Sequence, residues 1–344
     1  MTSTHYHIGP IIRINPWELH IRDQDFYDTI YSATTRCDKA PAHQWQQTFE
    51  SIVNTVGHNL HKRRRKALNP YFGKRPLQHF GSFIQSRADK ICERLAEEYA
   101  RKGRILNWSD VWACYAGDNV MQYGFATNED FLSIRDFKAH LIYALDSSLH
   151  IFPYIFYFPW LLSLMGLLPE SLTRIPAPDV VPVFQYEKAS HLKCWANHRM
   201  RASTADSKQE VIAQILAIKS DKNQVHKDVS HFTVFKELLD SDLPPEEKSV
   251  DRLFQDGFTL ITTGMDTTSY TLQIATLYVL YNKSIHQKLV KELLFAIPAS
   301  AYIPPLAELE KLPYLTAVIT EGDTTLPLSS PRSETRLVAF KFFI

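Results

Sequence analysis

One segment of the chain combines the strongest helical signals with a polar centre. It runs from about Glu246 to Tyr281, and the Pro244-Pro245 pair followed by two glutamates is typical of a helix start. Such a helix is roughly 50 Å long at ~1.5 Å per residue and would cross a whole domain. Its middle, ITTGMDTTSYT over residues 261–271, carries a glycine, an acid and six Ser or Thr hydroxyls. The sequence therefore predicts a buried helix that must satisfy several polar groups at its centre.

The pattern elsewhere predicts a mainly α-helical chain with a small β portion. Residues 10–22 are rich in β-branched residues around Pro16, which predicts one or two short strands with a turn. Residues 305–320 predict a short helix, a break at Leu-Pro-Tyr and the start of another helix. We find no internal repeat at solenoid periods.

Residues 88–102 predict an amphipathic surface helix. Ile91, Leu95 and Tyr99 are four residues apart, so they lie on one face of that helix. Gly103 follows the last charged residue and predicts the stop, because glycine readily takes the left-handed conformation that ends many helices.

An uncharged run over residues 151–168, IFPYIFYFPWLLSLMGLL, is long enough to span a bilayer, but Pro153 and Pro159 interrupt it. Three interpretations stay open. The run is the start of a buried helix, a membrane span, or an apolar surface that dips into a bilayer interface as a peripheral membrane contact.

Composition narrows the function classes without choosing one. The 344 residues include 38 Lys and Arg against 37 Asp and Glu, a balance that argues against nucleic acid as a partner. The four cysteines form no CxxC pair and no metal-ligand spacing, so we predict a reduced intracellular setting and no metal site built from these cysteines. The first 20 residues have neither the pattern of a signal peptide nor an apolar run long enough to span a bilayer, so we expect no signal or anchor in this segment.

The motif around Gly264 has two structural interpretations and one functional one. Thr263-Gly-Met-Asp266 fits a capping box, which favours two helices that abut at the glycine. Alternatively, a local kink in one continuous helix lets the hydroxyls bond back to carbonyls one turn earlier. The functional hypothesis is that Asp266 and Thr267, adjacent in an apolar wall, deliver protons to a dry site where dioxygen is split.

A basic cluster, HKRRRK over residues 61–66, allows further alternatives. Such clusters are usually solvated faces, nonspecific anion patches or nuclear-import signals. However, His61 and Arg65 are four residues apart, so they share a helix face and could clamp a pair of carboxylates. Glu321 ends a later apolar helix, and by itself it predicts only an exposed side chain.

Taken in order, four stretches resemble the cytochrome P-450 family of haem-thiolate monooxygenases, most closely its filamentous-fungal members that oxidise terpenoid and related secondary metabolites. YHIGPIIRINPWELHI resembles the family's first strands, and HKRRRKALNPYF resembles its C helix. TTGMDTT is similar to the I-helix motif in all but its first position, and LEKLPYLTAVITEG resembles the approach to the K helix. The resemblance covers residues 5–322 and implies a partial fold, from the first strands to the start of the K helix.

The resemblance implies a cofactor, partners and residue roles. The cofactor would be haem, with His61 and Arg65 paired to its propionates. Gly264 would admit iron-bound dioxygen, while Asp266 and Thr267 would organise proton delivery. The partners would be a small apolar substrate and, for a full-length form, an NADPH-cytochrome reductase. Family members typically lie at the endoplasmic-reticulum membrane, with residues 151–168 in the substrate-access region; without an anchor, this chain would be cytoplasmic or peripheral.

The sequence departs from the family pattern near its end. The family's Glu-x-x-Arg pair would start at Glu321, but the third residue on is Thr324. All four cysteines precede the I helix, so none matches the downstream thiolate that holds the iron. We therefore expect a partial cytochrome P-450 domain over residues 1–322 and a divergent, disordered tail over residues 323–344.

Two functions remain in competition at this point. The first is a monooxygenase of an apolar secondary metabolite that is truncated and inactive in this form. The alternative is a non-catalytic remnant that binds apolar ligands or acts as a helical interaction protein.

Overall fold

A computed structural model describes residues 9–16, 18–23, 25–31, 35–39, 50–139, 160, 212–213, 215–220, 233–297 and 304–324. Helices dominate this part of the chain, and the single sheet within it has two strands. The mainly α fold class with a small β portion is thereby confirmed. The apolar run 151–168 lies outside the described residues apart from Trp160, and so do Cys194 and residues 325–344.

The sheet is an antiparallel hairpin at the N-terminal end. Strand β1 is Ile11–Asn15 and strand β2 is Glu18–Ile21. Ile11 pairs with Ile21 and Ile12 with His20, so the predicted turn around Pro16 closes the hairpin. The register shifts between Arg13 and Asn15, next to this turn. The hairpin confirms the prediction from β-branched residues.

The helices are numbered here in chain order. They are α1 Tyr27–Tyr31, α2 His58–Leu68, α3 Lys74–Arg94, α4 Trp108–Phe125, α5 Val234–Asp240, α6 Val250–Tyr281, α7 Lys283–Ala296, α8 Leu306–Leu309 and α9 Pro313–Thr324. Among the described residues, none of these helices is long and apolar enough to cross a bilayer.

Helix α3 is longer than the predicted segment 88–102 but keeps its predicted face. The helix begins at Lys74 and continues beyond Arg94 as a π turn over Leu95–Ala100. Ile91 and Tyr99 are buried on the predicted face. Gly103 has a φ of +60°, so the predicted stop is confirmed.

Helix α6 begins slightly later than its sequence pattern indicates. Residues Pro245–Lys248 form a separate 3₁₀ turn, and α6 itself starts at Val250. The Ser249 side chain provides the cap by accepting a hydrogen bond from the Arg252 backbone N–H at 3.3 Å. The C-terminal end at Tyr281 is as predicted.

The core is organised around the packing of α4 against α6, the most extensive helix pair among the described residues. Helix α5 also packs on both of these helices, and it contributes side chains such as Phe235 and Leu238 that are fully buried. Gly257 of α6 lies under the Phe235 ring, since a Cβ there would come within 2.8 Å of that ring. The functional motif in the middle of α6 therefore sits on a firmly packed wall.

Helix α9 corresponds to the predicted start of the K helix. It contacts α6 near the C-terminal end of α6. The short helix α8, the break at Leu312 and helix α9 follow the predicted order. A Cβ on Gly322 would lie 3.5 Å from the Ala275 Cβ of α6. Helix α9 continues for two residues beyond Gly322, across the point where the sequence composition changes.

Candidate functional site

The polar centre of α6 satisfies four of its six Ser and Thr hydroxyl groups within the helix. The Thr263 hydroxyl donates to the Thr259 carbonyl oxygen at 2.6 Å, and the Thr267 hydroxyl donates to the Thr263 carbonyl oxygen at 2.8 Å. Ser269 donates in the same way to the Asp266 carbonyl oxygen at 3.0 Å. Because one helix runs through the motif, the capping-box alternative is wrong, and the continuous helix with hydroxyls bonded to carbonyls one turn earlier is confirmed. The local kink stays a prediction.

Gly264 lies in the contact between α4 and α6. A Cβ on Gly264 would come within 3.0 Å of the Val120 Cγ2 atom. The next residue, Met265, is 2% exposed, and its terminal methyl would be 2.9 Å from a Cβ on Gly117. Each helix thus sets a glycine opposite a larger side chain of its neighbour. Asp266 and Thr267 come directly after this contact in the sequence.

A second part of the site lies on α2. His61 and Arg65 are both half-buried, one turn apart. Burial, together with the charges of Lys39, Arg65, His58 and Arg64, lowers the pKa of His61 to about 4. Burial also lowers the pKa of Arg65. Burial therefore disfavours positive charge on this face of α2, and near pH 7 His61 is neutral.

Lys39 is a residue that the sequence analysis missed. Its ammonium group donates to the Val53 carbonyl oxygen at 2.9 Å and to the Ile52 carbonyl oxygen at 3.3 Å. Burial lowers its pKa to about 8. The preceding Asp38 accepts a hydrogen bond from the His58 backbone N–H at 2.7 Å, which fixes this segment to the start of α2. Lys39 lies close enough to His61 for its positive charge to lower the pKa of that imidazole.

The basic cluster divides between three environments. Lys62, Arg63 and Lys66 are exposed, so the solvated-face interpretation holds for these three side chains. Arg64 is only 6% exposed and forms an ion pair with Glu247, with its Nε atom 2.7 Å from Oε2. The sequence did contain a signal for this burial: Arg64 shares a helix face with Leu68, four residues later and fully buried.

The motif around Gly264 and the basic cluster of α2 lie at different levels along α6. Glu247, the partner of Arg64, lies just before the start of α6 at Val250. Gly264 follows Val250 by 14 residues, which is about 21 Å along the axis at ~1.5 Å per residue. Glu321 is exposed near the end of α9. The structure therefore places Gly264, Asp266 and Thr267 on one element and His61 and Arg65 on another.

A groove of about 380 Å³ lies elsewhere, at the C-terminal end of α6. Its walls are Asn107, Trp108, Ser109, Gln273, Leu277, Leu280 and Tyr281. This lining contains none of the predicted site residues. The groove is therefore not the site that the sequence predicts.

Comparison with known proteins decides the family. The family profile described as Cytochrome P450 matches residues 21–322. The chain belongs to the cytochrome P450 family. The match begins in β2 and ends in α9, so it includes both the cationic face of α2 and the motif of α6.

Similar proteins are fungal members of the family. The cytochrome P450 monooxygenase sdnE of Sordaria araneosa is 32% identical over 325 residues, which are 92% of this chain and 59% of that protein. The cytochrome P450 monooxygenase tpcC of Cochliobolus heterostrophus is 33% identical over 91% of this chain and 56% of its own length. The predicted resemblance to fungal P450 monooxygenases is confirmed. The chain spans about three fifths of the length of these relatives.

Haem is the cofactor that the P450 family implies, and the face of α2 fits part of it. Arg65 and Lys39 are cations, whereas His61, with a pKa of about 4, is a neutral imidazole near pH 7 that can still donate one N–H. Burial lowers the pKa of all three groups, so bound carboxylates would accept their hydrogen bonds and stabilise their charged forms. Haem carries two carboxylates. His61 and Arg65 would hold them, as predicted, and Lys39 would add to the positive field.

The cysteines in the described part of the chain do not fit the P450 iron site. The Cys114 thiol is buried, donates to the Phe137 carbonyl oxygen at 3.2 Å, and has a pKa raised by burial to about 12. A thiol in that state does not supply a thiolate. Cys37 and Cys92 are exposed. Within the described residues, no cluster of His, Cys, Asp or Glu is arranged to hold a metal ion.

We predict an energetic coupling between Gly264 and Val120. Gly264→Ala should destabilise the protein less in a Val120→Ala background than in the wild type, because the smaller side chain makes room for the new Cβ. Contacting residues typically couple by about 0.5–3 kcal/mol. Urea unfolding of the four proteins measures the coupling. Gly81→Ala, on an exposed part of α3 with no heavy atom within 4 Å of the added Cβ, should show none with Val120→Ala.

We also predict that His61 contributes to acid sensitivity. Its folded-state pKa of about 4 lies below its ordinary value of 6.5, so the unfolded chain binds the proton more tightly. Stability is complete above pH 6.5 and falls as the pH drops from 6.5 to 4. His61→Gln should flatten this fall in urea unfolding series. An unchanged slope between pH 6.5 and 4 would contradict the assignment.

Proposed function

We propose that this chain derives from a haem-dependent monooxygenase of an apolar, terpenoid-like metabolite in a secondary-metabolite pathway, and that the 344 residues by themselves are inactive. The observation that carries the proposal is the pairing of two features in one family member. His61 and Arg65 of α2, with Lys39 beside His61, gather three nitrogen hydrogen-bond donors whose pKa values are lowered, and the middle of α6 holds an acid beside a hydroxyl in an apolar helix.

In this proposal each feature has its own chemical task. His61 and Arg65 bind the haem carboxylates, and Lys39 raises the local positive potential. Bound haem supplies the redox chemistry. Asp266 and Thr267 hold protons at a carboxyl and a hydroxyl in the wall of α6. The Thr267 hydroxyl donates its proton to the Thr263 carbonyl oxygen. The lone pairs of the hydroxyl oxygen can still accept a hydrogen bond from a proton-carrying group.

The redox partner in this proposal is an NADPH-cytochrome reductase, and the substrate is small and apolar. The names of the fungal relatives support monooxygenase chemistry, because sdnE, tpcC and MO6277 are each described as a cytochrome P450 monooxygenase. For the 344 residues alone, we propose carboxylate-dependent haem binding without thiolate-ligated catalysis. The raised pKa of the Cys114 thiol supports haem binding without a thiolate from this cysteine.

We predict that the chain binds haem more tightly than haem dimethyl ester, in which both carboxylates are blocked. Arg65→Gln and His61→Gln should weaken binding of haem but not of the ester, because each loses a charge-assisted hydrogen bond worth about 1.5–3 kcal/mol. Optical titration measures both affinities. Arg63→Gln removes an exposed cation from the same helix and should leave the preference intact.

Equal affinity of the wild type for haem and its ester would contradict the carboxylate-binding role. The reduced haem complex is then exposed to carbon monoxide. A thiolate-type Soret band would show that a cysteine of this chain binds the iron, and it would overturn the division proposed above.

The pathway role predicts a metabolic phenotype. Deleting the gene in its natural host should remove an oxygenated metabolite and accumulate a more apolar precursor. Mass spectrometry of culture extracts measures both species, and a strain complemented with the intact gene is the control. An unchanged metabolite profile in the deletion strain would sink the proposed pathway role.

A further inference from the structure

A buried ionic network connects α2 to the start of α6. It consists of Arg64, Glu247, Arg252 and Asp256, which are 6%, 9%, 1% and 0% exposed. Two cations are balanced by two anions. Because each buried ion is costly to remove from water, such a cluster persists only where its members are paired.

The Arg64 guanidinium is held from two directions. Its Nε and Nη2 atoms form a fork on the Glu247 carboxylate, at 2.7 Å and 3.1 Å. Its Nη1 atom donates to the Glu50 carbonyl oxygen and to the Thr55 hydroxyl, both at 2.7 Å. A planar group bound on both sides has little freedom to rotate. Arg64 therefore has one well-defined orientation.

The other half of the network extends this arrangement into α6. The Arg252 Nη1 atom donates to the Glu247 carbonyl oxygen at 2.6 Å, and its Nε atom lies 2.9 Å from the Glu247 carboxylate. Its Nη2 atom is 2.9 Å from Asp256, whose carboxylate accepts from the Ile52 backbone N–H at 2.7 Å. Three distant segments meet here: residues 50–55, α2 and the first turns of α6.

The network acts on the face of α2 that the proposed function uses. Arg64 precedes Arg65 directly and follows His61 by three residues. In a helix of 3.6 residues per turn, fixing the direction of Arg64 fixes the rotation of the helix about its axis. His61 and Arg65 are then held in their half-buried orientation relative to α6.

We propose that Arg64 and Glu247 are positioning residues that aim the His61 and Arg65 side chains at the haem carboxylates. This inference rests on the proposed carboxylate-binding role of that face. Stability alone does not require this network, because well-packed apolar side chains often stabilise a protein as much as a buried ion cluster does. The forked geometry, by contrast, specifies direction.

The first test follows His61 by NMR in Arg64→Lys, which keeps the charge but loses the fork. In the wild type the pKa of His61 is about 4, and in Arg64→Lys it should move toward the ordinary value of 6.5 as α2 turns and His61 gains solvent. Arg63→Lys makes the same change at an exposed position of α2. Leu132→Ala removes a fully buried side chain elsewhere. Both controls should leave the His61 titration at its wild-type position.

The second test compares affinities for haem and its dimethyl ester. Arg64→Lys should lose most of the preference for free carboxylates while Leu132→Ala keeps it, even where thermal unfolding shows that both variants are destabilised. Glu247→Asp, which retains the charge on a shorter side chain, serves as the second variant should Arg64→Lys fail to fold. It should show the same two changes.

The outcomes separate the two proposals. If Arg64→Lys and Glu247→Asp lower only the unfolding temperature, and both the His61 titration and the haem preference stay as in the wild type, the positioning role is wrong. If the wild type shows no preference for haem over its ester, the proposed carboxylate binding fails. The His61 titration then still decides whether Arg64 orients this helix face.

Discussion

The close approach of α4 to α6 is the constraint on which the rest of the described structure depends. Met265 of α6 fits over Gly117, while Val120 of α4 fits over Gly264, so neither helix can turn or slide without a clash. Interiors packed at this density transmit small displacements instead of absorbing them. The acid and hydroxyl that follow Gly264 take their positions from this contact.

A glycine in the middle of a long helix normally costs about 0.5–1 kcal/mol relative to alanine. At Gly264 that cost is offset by the contact with Val120, which a larger residue would disturb. The glycine therefore has a packing role that is independent of any bound gas or cofactor.

Sequence pattern predicted the elements better than it predicted their connections. The hairpin around Pro16, the stop at Gly103 and the break before α9 each depend on local backbone chemistry that one residue type reveals. The start of α6 was placed too early. The two glutamates after Pro245 have the composition of a first helical turn, yet Glu247 is committed to Arg64 and the cap is Ser249.

The ionic network itself was beyond the reach of local pattern. Arg64 and Glu247 are 183 residues apart, and Ile52 and Asp256 are 204 residues apart, so no periodicity connects them. Arg252 and Asp256 did give a signal, as an i,i+4 pair of opposite charge in a largely apolar helix. Such a pair is ordinary at the surface of a helix. Because Arg252 and Asp256 are buried, they instead connect α6 to distant segments of the chain. Burial is decided by the whole fold.

The self-contained hydrogen bonding of α6 has an evolutionary consequence. Four of the six threonines and serines of the motif, Thr262, Thr263, Thr267 and Ser269, bond to a carbonyl of their own helix, so their polarity is compensated before any cofactor or partner arrives. Folding therefore exerts little pressure to remove these residues. A descendant of this gene could stop using its proton-handling chemistry and still carry the motif for many generations. The presence of the motif is therefore stronger evidence of family membership than of catalytic activity.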